Sequence, residues 1–157
     1  MPAVTRVNHI GIPVSDLERS VKWYEEVLSI TADGVTAEAS GEAIGNVLEL
    51  DHPTLRAVFA LAGDNVQVEL LQYEHPVPKP FEARNCDVGA IHLCFEVDDI
   101  EVAHRELVDQ DVHINSGPLE IGAGPDVDSG GLAGVKVLYF RDPDGVQLEF
   151  FELPKSA

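Results

Sequence analysis

The stretch NHIGIPVSDLE at residues 8–18 recurs in outline as IHLCFEVDDIE at residues 91–101. The two stretches share a histidine, an aspartate and a glutamate at one offset of 83 positions: His9 with His92, Asp16 with Asp99, and Glu18 with Glu101. A second stretch, DNVQVELL at residues 64–71, recurs as DGVQLEFF at residues 144–151, at an offset of 80. Two recurrences in the same order at nearly the same offset indicate an internal duplication.

The duplicated halves cover residues 4–76 and 88–154, and a linker that contains prolines and charged residues joins them. The chain has 157 residues, which is the length of a single domain built from two small halves. Hydrophobic residues make up 45% of the sequence, enough for a sizeable core. We therefore expect residues 1–157 to form one domain.

Each half has the same pattern of predicted elements. A strand (4–14 or 88–97) precedes a helix (15–28 or 98–110), whose apolar residues recur at helical spacing. Ser15 or Asp16 is the expected N-cap of the first helix, and Asp98 that of the second. Three more strands complete each half, at 44–50, 55–62 and 66–73, and at 112–117, 135–141 and 146–152. The sequence thus predicts an α+β fold with two βαβββ modules in tandem.

Two further features carry local predictions. Residues 119–134 are rich in Gly and Asp, which is typical of a loop and predicts a mobile lid. Cys94 stands in an apolar run and Cys86 in a polar one, so a buried small residue and a surface thiol are expected, without a disulfide.

The charge of the chain excludes several classes of partner. The formal net charge is −18, from 28 acidic and 10 basic residues. Nucleic acids and anionic membrane surfaces both require clustered Lys and Arg, so neither is an expected partner. No apolar run approaches the roughly 20 residues of a membrane span. The first residues lack a basic stretch followed by an apolar one, which predicts a cytoplasmic protein.

Four ionisable residues at repeat-equivalent positions predict a metal site. Because side chains alternate along a strand, His9, Glu69, His92 and Glu149 each face away from the aliphatic side of their strand. Buried carboxylates are costly unless they are paired or bind metal. If the halves are related by a pseudo-twofold axis, two imidazoles and two carboxylates meet at one centre. This donor set suits one divalent ion, with Zn, Ni, Co, Mn and Fe(II) all open.

These residues and their surroundings resemble the vicinal oxygen chelate superfamily, which includes glyoxalase I, methylmalonyl-CoA epimerase, extradiol dioxygenases and bleomycin resistance proteins. The resemblance rests on HIGIPVSDL at 9–17 with Trp23 and Tyr24, VELL at 68–71, GAIH at 89–92, and RDPDG at 141–145 before Leu148 and Glu149. It implies a glyoxalase-like half-open cup around one metal, commonly in a homodimer. It maps the four metal ligands to His9, Glu69, His92 and Glu149; a glutamate in the second position is like glyoxalase I.

The resemblance also implies a reaction class. A small-molecule substrate with two adjacent oxygens would chelate the metal, which would stabilise an enolate. Glu149 or Glu69 would move the proton. The expected protein is a metal-dependent isomerase, epimerase or lyase. One alternative is a small extradiol-type Fe(II) dioxygenase, and another is a metal-free protein that binds an antibiotic or other ligand. Glutathione or CoA as substrate would need contacts with cationic side chains, and the chain has only six Arg and four Lys residues to provide them.

Overall fold

The computed structural model describes residues 3–64, 66–122 and 130–155. The chain divides into two compact units, Met1–Pro80 and Phe81–Ala157, and each unit contains one of the duplicated halves. Each unit has one four-stranded sheet and at least one helix, so the predicted α+β fold of two tandem modules is confirmed. In the described residues, no helix has the length and apolar character that crossing a membrane requires.

The first unit is a βαβαββ arrangement. Its elements are β1 (His9–Pro13), α1 (Leu17–Leu28), β2 (Thr31–Ser40), α2 (Glu42–Leu48), β3 (Thr54–Ala62) and β4 (Val66–His75). The strand order is β1-β4-β3-β2, with β1 parallel to β4 and the other neighbours antiparallel. The core includes Ile12, Tyr24, Val68 and Leu70, all nearly inaccessible to solvent.

The second unit repeats this strand order with shorter edge strands. Its elements are β5 (Leu93–Glu96), α3 (Ile100–Asp109), β6 (Leu119–Glu120), β7 (Lys136–Arg141) and β8 (Gln147–Glu152). The strand order β5-β8-β7-β6 matches that of the first unit, again with one parallel pair, β5 and β8. Leu107, Leu138, Phe140 and Leu148 are buried in its core.

Several predicted elements are wrong in detail. Residues 44–50, predicted as a strand, lie mostly in helix α2, and the second strand is instead β2 at Thr31–Ser40. Strand β2 is mostly exposed at the sheet edge, so it lacks the apolar alternation that marks a half-buried strand. The predicted strand 112–117 is reduced to one bridge between Ile114 and Phe140, and the short edge strand β6 follows it.

The N-cap residues of helices α1 and α3 occupy equivalent positions of the repeat, and that of α3 differs from the prediction. Asp16 caps α1 by accepting a hydrogen bond from the Arg19 amide at 2.9 Å. The cap of α3 is Asp99, which accepts from the Glu101 and Val102 amides, so the prediction of Asp98 was wrong. Asp99 is the residue that aligns with Asp16 at the offset of 83. These amide hydrogen bonds, led by that of Val102, hold the pKa of Asp99 below its usual value.

Each unit ties its first helix to its sheet in the same way. In the first unit the Gln72 side-chain oxygen accepts a hydrogen bond from the Leu17 amide at 3.0 Å. In the second, the Glu152 carboxylate accepts from the Ile100 amide at 2.7 Å. Both acceptors lie near the end of the strand that carries a predicted metal ligand. This contact therefore fixes the helix against the strand that carries the ligand.

A basic residue accompanies each of these acceptors. Arg56 on β3 donates to Gln72 at 2.9 Å and to Glu18 at 2.6 Å. Its counterpart at the offset of 80 is Lys136 on β7, whose ammonium lies 3.9 Å from Glu152. The duplication thus extends beyond the apolar core to the polar contacts around it.

The expectation of a mobile lid at 119–134 falls partly outside the described residues, because 123–129 are not described. Of the rest, Leu119 and Glu120 form β6, whose register pairs Leu119 with Val137.

Candidate metal centre

The first predicted ligand pair lies on the neighbouring strands β1 and β4. Their parallel register places Gly11 opposite Glu69, and the Nε2 atom of His9 lies 3.4 Å from the Oε2 atom of Glu69. The His9 side chain is 42% exposed and that of Glu69 is 19% exposed. The structure therefore brings His9 and Glu69 together as an accessible nitrogen and oxygen pair.

Two neighbours orient the His9 ring. Its Nδ1 atom lies 2.9 Å from the side-chain oxygen of Asn8. With the proton on Nδ1, the lone pair of Nε2 is free and faces Glu69, which is how metal-bound histidines are usually oriented. The ring of Phe59 on β3 meets the imidazole edge to face, with 5.6 Å between ring centroids. These contacts hold the imidazole without occupying Nε2.

The second predicted pair repeats this arrangement. The Nε2 atom of His92, which directly precedes β5, lies 3.0 Å from the Oε2 atom of Glu149 on β8. Cys94 and Tyr139 stand opposite Glu149 on the two flanking strands. The Tyr139 ring meets the His92 imidazole at 72°, with centroids 5.4 Å apart. The Glu149 side chain is only 9% exposed, against 19% for Glu69, whereas His92 at 44% is as exposed as His9 at 42%.

The turn before β8 fixes the position of Glu149. The buried carboxylate of Asp142 accepts hydrogen bonds from the amides of Asp144 and Val146, at 2.9 and 2.8 Å. Gly145 has a φ of +86°, a conformation that residues with a Cβ rarely adopt. The turn motif of the sequence thereby sets the register in which Tyr139 faces Glu149.

Burial and the nearby Glu149 carboxylate together raise the pKa of Tyr139 and of Cys94. Burial, followed by the negative charge of Glu149 and a hydrogen bond to it, raises the pKa of Tyr139 to about 12. The same causes in the same order raise the pKa of Cys94 to about 12, with a smaller contribution from Glu96. Cys94 is nevertheless an exposed residue, so the prediction that it is buried was wrong. The phenol and the thiol both stay protonated near neutral pH and can donate to the carboxylate.

The spacing of each pair fits a divalent ion. Two ligands bound at the usual zinc distances of about 2.0–2.2 Å lie about 2.9 Å apart at a right angle and about 3.4 Å apart at the tetrahedral angle. The measured separations of 3.0 and 3.4 Å fall in this range. In the described part of the chain, no group of three or more His, Cys, Asp or Glu side chains is close enough to hold a metal. Each unit thus supplies a pair of donors.

Sequence reasoning missed part of this arrangement. No role was assigned to Asn8 or to Phe59. Phe59 nevertheless aligns with Tyr139 at the offset of 80 that also links Glu69 to Glu149. The shared offset could have identified Phe59, because two residues that face each other in one half of the repeat have counterparts that face each other in the other half. The structure shows that each glutamate has an aromatic residue directly opposite it on the next strand.

Comparison with known proteins agrees with the fold and the repeat. Residues 6–150 match the Glyoxalase/Bleomycin resistance protein/Dioxygenase superfamily. The chain is 31% identical over 160 residues to a 2-epi-5-epi-valiolone epimerase from Actinomyces sp., an alignment covering 100% of this chain and 84% of the relative. It is 32% identical over 123 residues to the mitochondrial methylmalonyl-CoA epimerase of Bos taurus, covering 75% of this chain but only 61% of the relative.

A solved structure supports the same conclusion for the fold. A glyoxalase family protein from Bacillus cereus superimposes with a TM-score of 0.77 at 18% identity, covering 98% of this chain and 97% of the other. At this identity the similarity concerns the fold alone. Taken with the match over residues 6–150, it shows that this chain belongs to the Glyoxalase/Bleomycin resistance protein/Dioxygenase superfamily.

Proposed function

We propose that this protein is a divalent-metal-dependent epimerase of a small molecule with two neighbouring oxygen atoms. The observation that carries the proposal is the recurrence of a His–Glu pair, at 3.4 and 3.0 Å, at equivalent positions of a duplicated module. The family membership and the relatives named as epimerases support it. We propose His9 with Glu69, and His92 with Glu149, as two pairs of ligands for a divalent ion.

The proposed roles of the residues follow from their chemistry. When bound, a divalent ion polarises a carbonyl and so acidifies the adjacent carbon. His9 and His92 would supply neutral nitrogen ligands. A carboxylate of Glu69 or Glu149 would accept the proton from that carbon, and the electron pair of the broken C–H bond would move onto the carbonyl oxygen to give an enolate. Return of the proton to the opposite face would complete an epimerisation.

The charge of the protein favours an uncharged substrate over a CoA thioester. Arg and Lys side chains are common partners of phosphate groups in proteins. Four of the ten basic residues already form ion pairs with acidic residues: Lys22, Arg56, Arg84 and Lys136. The net charge of −18 also repels a polyanion. We therefore propose a neutral hydroxy ketone of the kind named for the Actinomyces relative as the first substrate to test.

The test is epimerisation in deuterated water. The protein is loaded in turn with Zn, Ni, Co, Mn or Fe(II) and incubated with 2-epi-5-epi-valiolone or methylmalonyl-CoA, and proton NMR follows inversion and loss of the exchangeable proton. We expect exchange that depends on the ion and disappears in His92→Ala. The matched control is His113→Ala, because His113 is exposed and its backbone carbonyl makes its structural contact. Exchange without any ion, or exchange retained in His92→Ala, would contradict the proposal.

The same samples address the alternatives from the sequence. Oxygen consumption with a catechol and Fe(II) would favour the dioxygenase. Tight binding of a ligand by protein that takes up no ion would favour the metal-free binding protein. The homodimer and the cytoplasmic location stay predictions, and sedimentation of the purified protein tests the former.

A further inference from the structure

The two histidines of the His–Glu pairs differ in the residue that precedes them. The offset of 83 aligns His9 with His92, and it therefore aligns Asn8 with Ile91. Other surroundings of the two rings agree. Their side chains are 42% and 44% exposed, and an aromatic ring meets each imidazole edge to face, with centroids 5.6 and 5.4 Å apart. The preceding residue is thus a polar difference between two rings in similar settings.

The Asn8 side chain contacts one of the two ring nitrogens of His9. Its Oδ1 atom lies 2.9 Å from Nδ1, the ordinary length of an N–H···O hydrogen bond. A carbonyl oxygen only accepts hydrogen bonds, so Nδ1 carries a proton in this contact. The other nitrogen, Nε2, lies 3.4 Å from Glu69, outside the usual range of about 2.7–3.2 Å for such a bond. These contacts favour the tautomer of neutral His9 that has its proton on Nδ1.

The pairing of β1 with β4 holds Asn8 in this place. The backbone carbonyl of Asn8 accepts a hydrogen bond from the Gln67 amide at 3.4 Å, and Gln67 is also the register partner of His9. Glu69 follows two residues later on the same strand. One strand pairing therefore positions both the acceptor for Nδ1 and the carboxylate near Nε2.

The second unit has no counterpart of this contact. Ile91 is 69% exposed and its side chain has no polar atom. Among the residues that the structure describes, the His92 ring contacts the Glu149 carboxylate, 3.0 Å from Nε2, and the Tyr139 ring, and neither provides an acceptor at Nδ1. The protonated nitrogen of a neutral imidazole is set by its polar surroundings. The negative charge beside Nε2 therefore favours a proton on Nε2 of His92.

We propose that Asn8 is a positioning residue, which keeps the proton of neutral His9 on Nδ1, whereas neutral His92 carries its proton on Nε2 when no ion is bound. The consequence for an ion rests on the proposed function. His9 would bind an ion through Nε2 without moving a proton. His92 would first release a proton from Nε2 to water and take one up from water at Nδ1, with no net change. The first unit therefore provides the preset nitrogen ligand.

The expected size of the effect follows from exposure. Asn8 and His9 are both exposed, so water competes for their contact. A typical hydrogen bond in a protein shifts an equilibrium by about two- to ten-fold after this competition. Loss of the Asn8 acceptor should change the ratio of the two His9 tautomers by this factor. An ion on Nε2 makes Nδ1–H a stronger donor, so the loss of ion affinity should be at least as large as about two-fold.

The first experiment measures the tautomers directly. Long-range proton–nitrogen NMR correlations of the rings are recorded without metal at about pH 8.5, where an ordinary imidazole, with a pKa of about 6.5, is neutral. His9→Gln and His92→Gln assign the signals. We expect the proton on Nδ1 of His9 and on Nε2 of His92. A proton mainly on Nε2 of His9 in the parent overturns the inference.

Variants of Asn8 show whether this residue sets the tautomer. Asn8→Ala should shift the His9 ratio toward a proton on Nε2 by about two- to ten-fold. Asn8→Asp keeps an acceptor oxygen and should keep the proton on Nδ1. The matched control is Asn46→Ala, which removes an exposed amide from helix α2 and should leave both rings unchanged. An unchanged ratio in Asn8→Ala contradicts the inference.

The second experiment measures the consequence for an ion. The dissociation constant of Co(II) is determined by competition with a chelator for the parent and the same three variants. We expect Asn8→Ala to bind about two- to ten-fold more weakly, and Asn8→Asp and Asn46→Ala to bind at least as tightly as the parent. Equal affinities of the parent and Asn8→Ala contradict the positioning role.

The two experiments separate the inference from the proposed function. A parent protein that binds no Co(II) removes the proposed function, and the tautomer measurement still decides the role of Asn8 in orienting His9. A parent that binds Co(II) with the His9 proton on Nε2 before binding removes the inference alone.

Discussion

Replacement of Glu152 tests whether the contact between helix and sheet holds the second unit together. Glu152 is 8% exposed, and its Oε2 atom accepts a hydrogen bond from the Ile100 amide at 2.7 Å. Ile100 is fully buried, so water cannot replace the lost acceptor. Glu152→Leu leaves this amide unpaired, whereas Glu152→Gln keeps an acceptor, as Gln72 does in the first unit.

The expected magnitudes follow from these contacts. A buried donor left without a partner costs about 1–3 kcal/mol, and a hydrogen bond to a charged group exceeds one to a neutral group by about 1 kcal/mol. We therefore expect a loss of about 2–3 kcal/mol for Glu152→Leu and about 1 kcal/mol for Glu152→Gln. For a protein of this size each kcal/mol lowers Tm by about 2–4 °C. The Tm should fall by about 4–12 °C and about 2–4 °C, respectively.

Urea unfolding followed by circular dichroism, together with calorimetry, measures both variants at one pH and one protein concentration. The matched control is Glu106→Gln, which changes an exposed acid on the same helix and should stay within about 0.5 kcal/mol of the parent. If Glu152→Leu is as stable as the parent, the buried amide does not need this acceptor and the reasoning is refuted.

Three further predictions concern the folded state. The pKa of Asp99 is lowered by its amide hydrogen bonds, so its contribution to stability is present above about pH 4 and is lost as the pH falls through the lower folded value. Asp99→Asn should thus lose less stability between pH 5 and 3 than the parent, and equal losses in acid titrations of unfolding would contradict this. Gly45→Ala should destabilise the protein by about 1–3 kcal/mol, because the added Cβ would lie 2.6 Å from the Leu50 carbonyl oxygen, and this clash outweighs the better helix propensity of alanine. A variant that is more stable than the parent in urea unfolding would contradict this prediction. Arg56→Met should make Tm less dependent on salt concentration, because the variant lacks the ion pair of Arg56 with Glu18 at 2.6 Å, which salt screens. An unchanged salt dependence of Tm would count against a stabilising role of this ion pair.

The internal repeat made the fold predictable, because the same order of strand, helix and turn signals occurs in both halves of the sequence. In the sequences of the strands that carry His9 and Glu149, apolar residues alternate with other residue types, although β8 is buried along most of its length. The turn at 141–145 has a distinctive sequence. Strand β2 was not predictable, because most of its side chains are exposed and its pairing comes from the backbone of β3. Apolar residues at 44–50 suggested a strand there, whereas the structure has helix α2 at Glu42–Leu48.

The sequence predicted which residues form the candidate site but not which side chains surround them. Alternation was enough to place His9 with Glu69 and His92 with Glu149 on matching faces. The same alternation would have predicted the exposure of Cys94, which lies two residues from His92, whereas the prediction that Cys94 is buried relied on its apolar neighbours in the sequence. The positions of Tyr139 and Cys94 opposite Glu149 depend on the register between three strands, which no local pattern encodes.

The most direct test of the proposed metal centre is the metal content of the purified protein. Element-resolved mass spectrometry is applied to the parent, His92→Ala and the matched control His113→Ala, before and after reconstitution. We predict about one divalent transition ion per chain in the parent and in His113→Ala, and its loss in His92→Ala, because His92 lies 3.0 Å from Glu149 at the proposed site. No ion in the reconstituted parent, or an ion retained at full content in His92→Ala, would contradict the account.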